Sequence, residues 1–161
     1  MDYSRFEMLQ EKIILPENEQ SYMESFFQEF CKDAAAQKER INERMAPSFF
    51  SCDAEKQKLC LFFQTQEWQA NPSGFLHGGI IATAVDITAG LLVKYLIKSN
   101  DAVTVEMNCN YLRAIPIGET YILSAEVDKA GKTLFYVNVN GKLKTSGKKA
   151  ITANLVYMKT K

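Results

Sequence analysis

The sequence predicts an α+β fold, one long buried helix against an antiparallel sheet, and three observations carry that reading. Residues 78–98 are apolar nearly all round, and between Gly78 and Val93 the only ionisable side chain is Asp86; such a helix is buried. Residues 102–158 then fall into four strand-like segments joined by connections that carry Pro or Gly. Two shorter strand-like segments precede the helix. Helix, two strands, helix, four strands is an order that suits one sheet packed on a central helix. A chain of 161 residues can bury a core of that size.

The elements follow in order. Residues 1–15 fit a short helix through Phe6, Leu9 and Ile13. Residues 17–45 read as one helix, with Tyr22, Met23, Phe26, Phe27, Phe30, Cys31 and Ala34 in a single apolar stripe. Ser21 and Glu24 have the spacing of a capping box, and Pro47 ends the segment. SFFSCD and KLCLFFQTQ, separated by AEKQ, form a hairpin. The turn NPSG leads into the long helix. AVTVEMNCNYL, TYILSAEVDK, TLFYVNVNGKL and KKAITANLVYM supply the remaining strands. In the first of them, Val103, Val105, Met107, Cys109 and Tyr111 alternate and are expected on one face. The chain divides into a helical extension at 1–46 and a main domain at 47–161.

Composition narrows the function classes. Hydrophobic residues make up 47% and charged residues 24%, ordinary values for a globular protein. No stretch reaches the ~18 uninterrupted apolar residues of a membrane span, so none is expected. MDYSRFEMLQEK mixes both charge signs with single apolar residues, unlike a signal peptide, and points to a cytoplasmic protein. Four cysteines lie scattered, and His77 is the single histidine, so no metal site is expected. A net charge of zero argues against a nucleic-acid partner. The charge is unevenly spread: residues 129–161 hold eight lysines and no acid. They form either solvated strand ends or a basic rim for an anionic ligand, with Lys142, Lys144 and Arg113 as candidates.

Asp86 is the residue that asks for an explanation. Gly79, Ala82, Thr83, Asp86, Ala89, Gly90 and Val93 form a side of small residues on the helix, which another backbone or a ligand can approach. An ionised carboxylate without partners costs several kcal/mol in an apolar interior. Asp86 is therefore paired, hydrogen-bonded, hydrated or protonated; capping a neighbouring strand would suffice. The helix start offers a chemical alternative. Its first N–H groups lack internal partners, and Gly78 and Gly79 leave them uncovered for an oxyanion. Asn71 adds an amide donor, and His77 either orients the turn or moves a proton. Thr104, early in the next strand, holds a water or the carboxylate if it is more than a β-former. A donor cluster plus a carboxylate is what an acyl-transfer hydrolase needs. Gly78 and Asp86 are eight residues, about 12 Å, apart along the axis. One chain does not easily bring both to one atom, whereas two antiparallel copies do.

NPSGFLHGGIIATAVDITAG followed by VTVEMNCNYLRAIPIGE resembles the hotdog-fold acyl-CoA thioesterases, in the phenylacetate-pathway and 4-hydroxybenzoyl-CoA thioesterase-like branch. Asn71, Gly74, His77, Gly78, Gly79 and Asp86 match the pattern in type and spacing, and the likeness spans roughly residues 48–158. It implies a hotdog fold, a central helix wrapped by five or six antiparallel strands, and a homodimer or homotetramer with shared sites. It implies Asp86 as general base or nucleophile and the Gly78 N–H as the group polarising the thioester carbonyl. Asn71 and His77 complete the opposite wall from the other subunit, and Thr104 positions water. Acyl-CoA is the implied substrate, its CoA part of the substrate and no separate cofactor. Gly79 and Phe75 would touch the substrate, and the acyl pocket would be apolar, although Phe75 and Leu76 suit an ordinary core equally well. Residues 1–46 depart from the pattern as a long extension that would cover the acyl pocket or mediate packing. Three other readings remain: a non-catalytic acyl-CoA sensor or regulatory hotdog protein, an enoyl hydratase or dehydratase working through His77, and a structural dimer. Turnover of a thioester separates them.

Overall fold

The computed structural model describes residues 18–36 and 40–160. The expected short helix at 1–15 lies outside them. The first helices are α1 (Glu19–Ala36) and α2 (Ile41–Arg44), in place of one helix over 17–45. Asn18, not Ser21, caps α1: its Oδ1 accepts the Ser21 N–H at 2.9 Å. The hairpin β1 (Ser48–Asp53) and β2 (Lys58–Gln64) follows, then a 3₁₀ turn at Glu67–Gln69. The long helix is α3 (Gly78–Ile97). The last strands are β3 (Ala102–Tyr111), β4 (Thr120–Ala130), β5 (Leu134–Leu143) and β6 (Lys149–Lys159).

All strand pairs are antiparallel, and the six strands run β1-β2-β4-β5-β6-β3. Each central strand sends alternate residues inward onto α3: Leu59, Leu61 and Phe63 from β2, Leu123 and Ala125 from β4, Val137 and Val139 from β5, Leu155 and Tyr157 from β6. The helix answers with Ile81, Ala84, Val85, Leu92 and Val93, all buried. Even Thr88 is fully buried, its hydroxyl donated back to the Ala84 carbonyl at 2.8 Å. In length and composition α3 could cross a bilayer, contrary to the expectation that no stretch is long and apolar enough. Here that apolarity serves the core, because the sheet curls around the helix. Met23, Phe26 and Phe27 of α1 extend the same core, and the two phenylalanine rings pack around Tyr95 near the end of α3.

The two sheet edges are finished differently. At β1, the Gln20 amide of α1 stands in for a further strand: it donates to the Cys52 carbonyl at 3.0 Å and accepts the Ala54 N–H at 2.7 Å. At the other end β3 pairs only with β6 among the described residues, which leave its outer edge open. That edge is apolar, with Val105 55% and Leu112 54% exposed, and Tyr111 beside them at 53%.

The expected alternation of β3 is broken. Thr104 sits opposite Tyr157 and Met107 opposite Leu155, so one extra residue, Val105, bulges between them. The bulge turns Thr104 to the helix side along with Met107, Cys109 and Tyr111, and leaves Val103 on the outer face opposite Met158. The small-residue side of α3 divides as well. Gly79 is exposed and Ala82, Thr83 and Asp86 are half-buried, whereas Ala89, Gly90 and Val93 are buried.

Candidate active site

Asp86 lies two turns into α3, where the helix passes beside β3 and β6. Its Oδ1 accepts two hydroxyls, from Thr104 at 2.7 Å and from Tyr157 at 2.7 Å. The Tyr157 oxygen is also 2.9 Å from the Asp86 carbonyl. Gly90, one turn further, makes room for that phenol: a Cβ there would stand 3.2 Å from the Tyr157 oxygen. Burial, then the neighbouring Asp86 charge and hydrogen bond, hold the Tyr157 hydroxyl well above the ordinary phenol range, so it stays a donor. Oδ2 has no hydrogen-bond partner among the described residues. The carboxylate is thus fixed by one oxygen and open at the other.

The start of α3 is organised by the backbone. His77 is the N-cap, and its Nδ1 accepts the Gly79 N–H at 3.0 Å, so the ring proton is on Nε2. The His77 carbonyl accepts the N–H groups of Ile80 at 2.9 Å and Ile81 at 3.1 Å. Of the four amides that a helix start leaves without partners, Gly78 alone has no acceptor among the described residues. Gly79 is therefore placed by the cap, where a Cβ would crowd the imidazole at 3.3 Å. A Cβ on Gly78 would meet Tyr111 only at ordinary contact distance, 3.6 Å. Tyr111 donates to the Gly78 carbonyl at 3.2 Å and ties β3 to the helix start.

The preceding loop is held by Asn71. Its Oδ1 accepts the Ser73 N–H at 2.9 Å and the Phe75 N–H at 3.1 Å. The side-chain NH₂ is left without an acceptor among the described residues and remains a donor for something else. Leu76 is buried and Phe75 is 40% exposed beside Pro116. The His77 N–H reaches the Gln69 carbonyl at 2.9 Å, which anchors the loop to the 3₁₀ turn.

The predicted residues therefore form two groups. Asp86 and Thr104 meet, joined by Tyr157; Asn71, His77, Gly78 and Gly79 meet around the helix start. Within one chain the two groups stand apart along α3, as the spacing implied. Arg113 is exposed two residues past Tyr111, near the helix start. Lys142 and Lys144 are exposed on the outer face of the sheet, the latter with its ammonium 5.5 Å from the Phe62 ring, and are not brought to Asp86. Among the described residues no three His, Cys, Asp or Glu side chains cluster as metal ligands would.

Beyond Asp86 opens a cavity of about 460 Å³, walled by Phe26 and Phe30 of α1, Asn42 of α2, Ile87 and Leu91 of α3, and Ala102 and Thr104 of β3. Sequence reasoning missed Tyr157, which reads there as one more inward aromatic of β6, and Lys94, which also lines this cavity.

Known proteins share the fold and part of the sequence. Residues 73–150 match the model of the Thioesterase superfamily. Human acyl-coenzyme A thioesterase 13 is 32% identical over 114 residues, 71% of this chain and 81% of that protein. The crystal structure of zebrafish thioesterase superfamily member 2 superposes with a TM-score of 0.73 at 26% identity, covering 84% of this chain and 97% of that one. A Streptococcus mutans protein solved bound to acetyl CoA superposes with a TM-score of 0.62 at 25% identity, over 71% of this chain and 88% of its own.

Proposed function

Because the chain belongs to the thioesterase superfamily, we propose that it hydrolyses acyl-CoA thioesters to the free acid and CoA, with Asp86 as the reacting carboxylate. One observation carries this reading: Oδ1 of Asp86 is locked by Thr104 and Tyr157, while Oδ2 has no partner among the described residues and Asp86 lines the cavity. A carboxylate that only capped a neighbouring element would have its oxygens used by that element. As a general base, Oδ2 takes a proton from water as the water oxygen attacks the thioester carbon. The carbonyl oxygen gains the electron pair, and the Gly78 N–H and the Asn71 amide are the donors free to hold it. Collapse of the adduct breaks the C–S bond, and the proton on Asp86 passes to the departing sulfur. In the alternative, Oδ2 itself bonds to the thioester carbon, and the C–S bond breaks with CoA leaving as the thiolate. Water then opens the anhydride to give the acid and the free Asp86 carboxylate, its released proton going to the thiolate. No metal or further cofactor is required, since a thioester is already activated.

The donors and the carboxylate come from two copies of the chain. About 12 Å of helix separates Gly78 from Asp86, and the open apolar edge of β3 runs alongside both. Pairing β3 with its copy would cover that edge and lay two α3 helices side by side, bringing Gly78 of one against Asp86 of the other. Arg113, exposed two residues past Tyr111, is then the candidate cation for the CoA phosphates, ahead of Lys142 and Lys144.

The test follows CoA thiol release over a panel of acyl and aryl thioesters. Asp86→Asn is expected to lose at least ~100-fold in kcat with its melting curve intact. A folded Asp86→Asn protein with near-normal turnover refutes the assignment; thioester binding without release by the wild type favours the sensor.

A further inference from the structure

The cavity behind Asp86 is not the greasy slot that a plain alkyl chain requires. Phe26, Phe30, Ile87 and Leu91 supply apolar wall, but the far side carries Lys94, Asn42 and Asn100. Asp86 and Lys94 are its only charged lining residues among those described, eight residues apart on one helix. Lys94 is half-buried and makes no ion pair or side-chain hydrogen bond among the described residues. Its neighbour one turn on shows the usual solution: Lys98 reaches Glu19 at 3.3 Å and stacks over Tyr95 at 3.9 Å. The last-turn position of Lys94 favours a cation, yet that benefit is equally available to a side chain in open water. A cation lining a recess without a counter-charge fits a ligand that brings one. The two ends also fix direction. Asp86 repels an anion and tolerates a neutral thioester, whereas Lys94 attracts the anion.

We propose that this cavity takes the acyl group and selects one whose far end is a carboxylate, read by Lys94 with the amides of Asn42 and Asn100. The inference rests on the thioesterase reading for the position of the thioester, and adds the class of acyl group: an ω-carboxyacyl chain of medium length. The N-terminal helices take part in selection, since α1 and α2 provide Phe26, Phe30 and Asn42.

The test uses non-hydrolysable CoA thioethers of matched length, one ending in methyl and one in carboxylate, titrated calorimetrically. The wild type is expected to bind the carboxylate-ended analogue about tenfold tighter, the lower end for a charge-assisted hydrogen bond. Lys94→Met is expected to abolish the difference, while Lys94→Arg keeps the preference. Equal binding of both analogues by the wild type, or equal weakening of both by Lys94→Met, overturns the proposal. The matching thioesters are then assayed for turnover. Preferential binding with no hydrolysis of either would defeat the thioesterase reading and leave this inference standing.

Discussion

Thr104 and Tyr157 donate to the same oxygen of Asp86, each at 2.7 Å, and this shared target makes their joint removal informative. Hydrogen bonds to a charged group contribute about 1.5–3 kcal/mol each. Thr104 faces solvent, so its value belongs at the low end, about a tenfold change in rate. Tyr157 is buried, and Tyr157→Phe keeps its ring against Gly90 while removing the hydroxyl, for a loss of about tenfold or somewhat more. In either single variant the remaining donor still fixes Oδ1, and Oδ2 stays aimed. With both gone, the carboxylate rotates about its own side chain and the aim is lost. The double variant Thr104→Val/Tyr157→Phe is therefore expected to fall below the roughly hundredfold product of the singles. The assay is kcat from thiol release, with KM alongside; Thr104→Ser should restore the rate, because it restores the hydroxyl. Stability provides the control: losing the Tyr157 hydrogen bond costs about 1 kcal/mol, a few degrees in melting temperature. A double variant no slower than the worse single, or losses confined to KM, would show that the two hydroxyls do not act through Asp86.

Four further outcomes are expected. Mixed and exchanged subunits of Asn71→Ala and Asp86→Asn should regain activity that neither homodimer has, since one of the two sites then carries neither lesion; no recovery after verified exchange would end the shared-site model. Glu19 accepts the Tyr95 hydroxyl at 2.6 Å, which with Lys98 holds its carboxyl below the ordinary 4.5. A lowered folded value gives stability that is present above the ordinary value and lost as pH falls through the folded one. Glu19→Gln should accordingly flatten the decline of melting temperature below pH 4.5, and an unchanged decline would refute the link. Burial pushes the Cys31 and Cys52 thiols up to about 12, so both should label slowly at pH 8 until the protein unfolds; labelling at free-thiol rates would contradict this packing. Arg113→Glu should raise KM for acyl-CoA and weaken its rise with ionic strength, while Lys144→Glu does so much less; the reverse ranking would put the phosphates on the outer face.

The sequence displays the parts of the fold that repeat, and hides those that depend on one residue. An unbroken apolar helix with a single carboxylate, flanked by alternating segments, is visible because periodicity sums over many positions. The β3 bulge is invisible for the same reason: Val103, Val105 and Met107 keep alternating straight through it, so the pattern persists while the backbone changes face. Yet that bulge is what turns Thr104 toward Asp86. Tyr157 is 71 residues from Asp86 and is one inward aromatic among several, so only the register of β6 against β3 distinguishes it. For His77 the sequence leaves two roles open, orienting the turn or moving a proton, and what it does not display is the atom used: Nδ1, which accepts the Gly79 N–H as a cap. Lys94 is missed because a cation in the last turn of a helix is what the macrodipole favours anywhere.

The amide of Gln20, laid along β1, has a consequence for how large an assembly can grow. A sheet with two unsatisfied borders has no natural stop: each added copy offers a fresh border to the next, and the product is a ribbon of indefinite length. Gln20 of α1 already occupies one end of the β1 border, at the Cys52 carbonyl and the Ala54 N–H, so a second molecule meets fewer free backbone groups there than along β3. If copies pair through β3, as proposed above, this capped end of β1 disfavours growth beyond two along the hydrogen-bonding direction. Gln20 thus acts as a partial stop, and Gln20→Ala would expose the Cys52 carbonyl and the Ala54 amide as a rung on which an open-ended fibre could start.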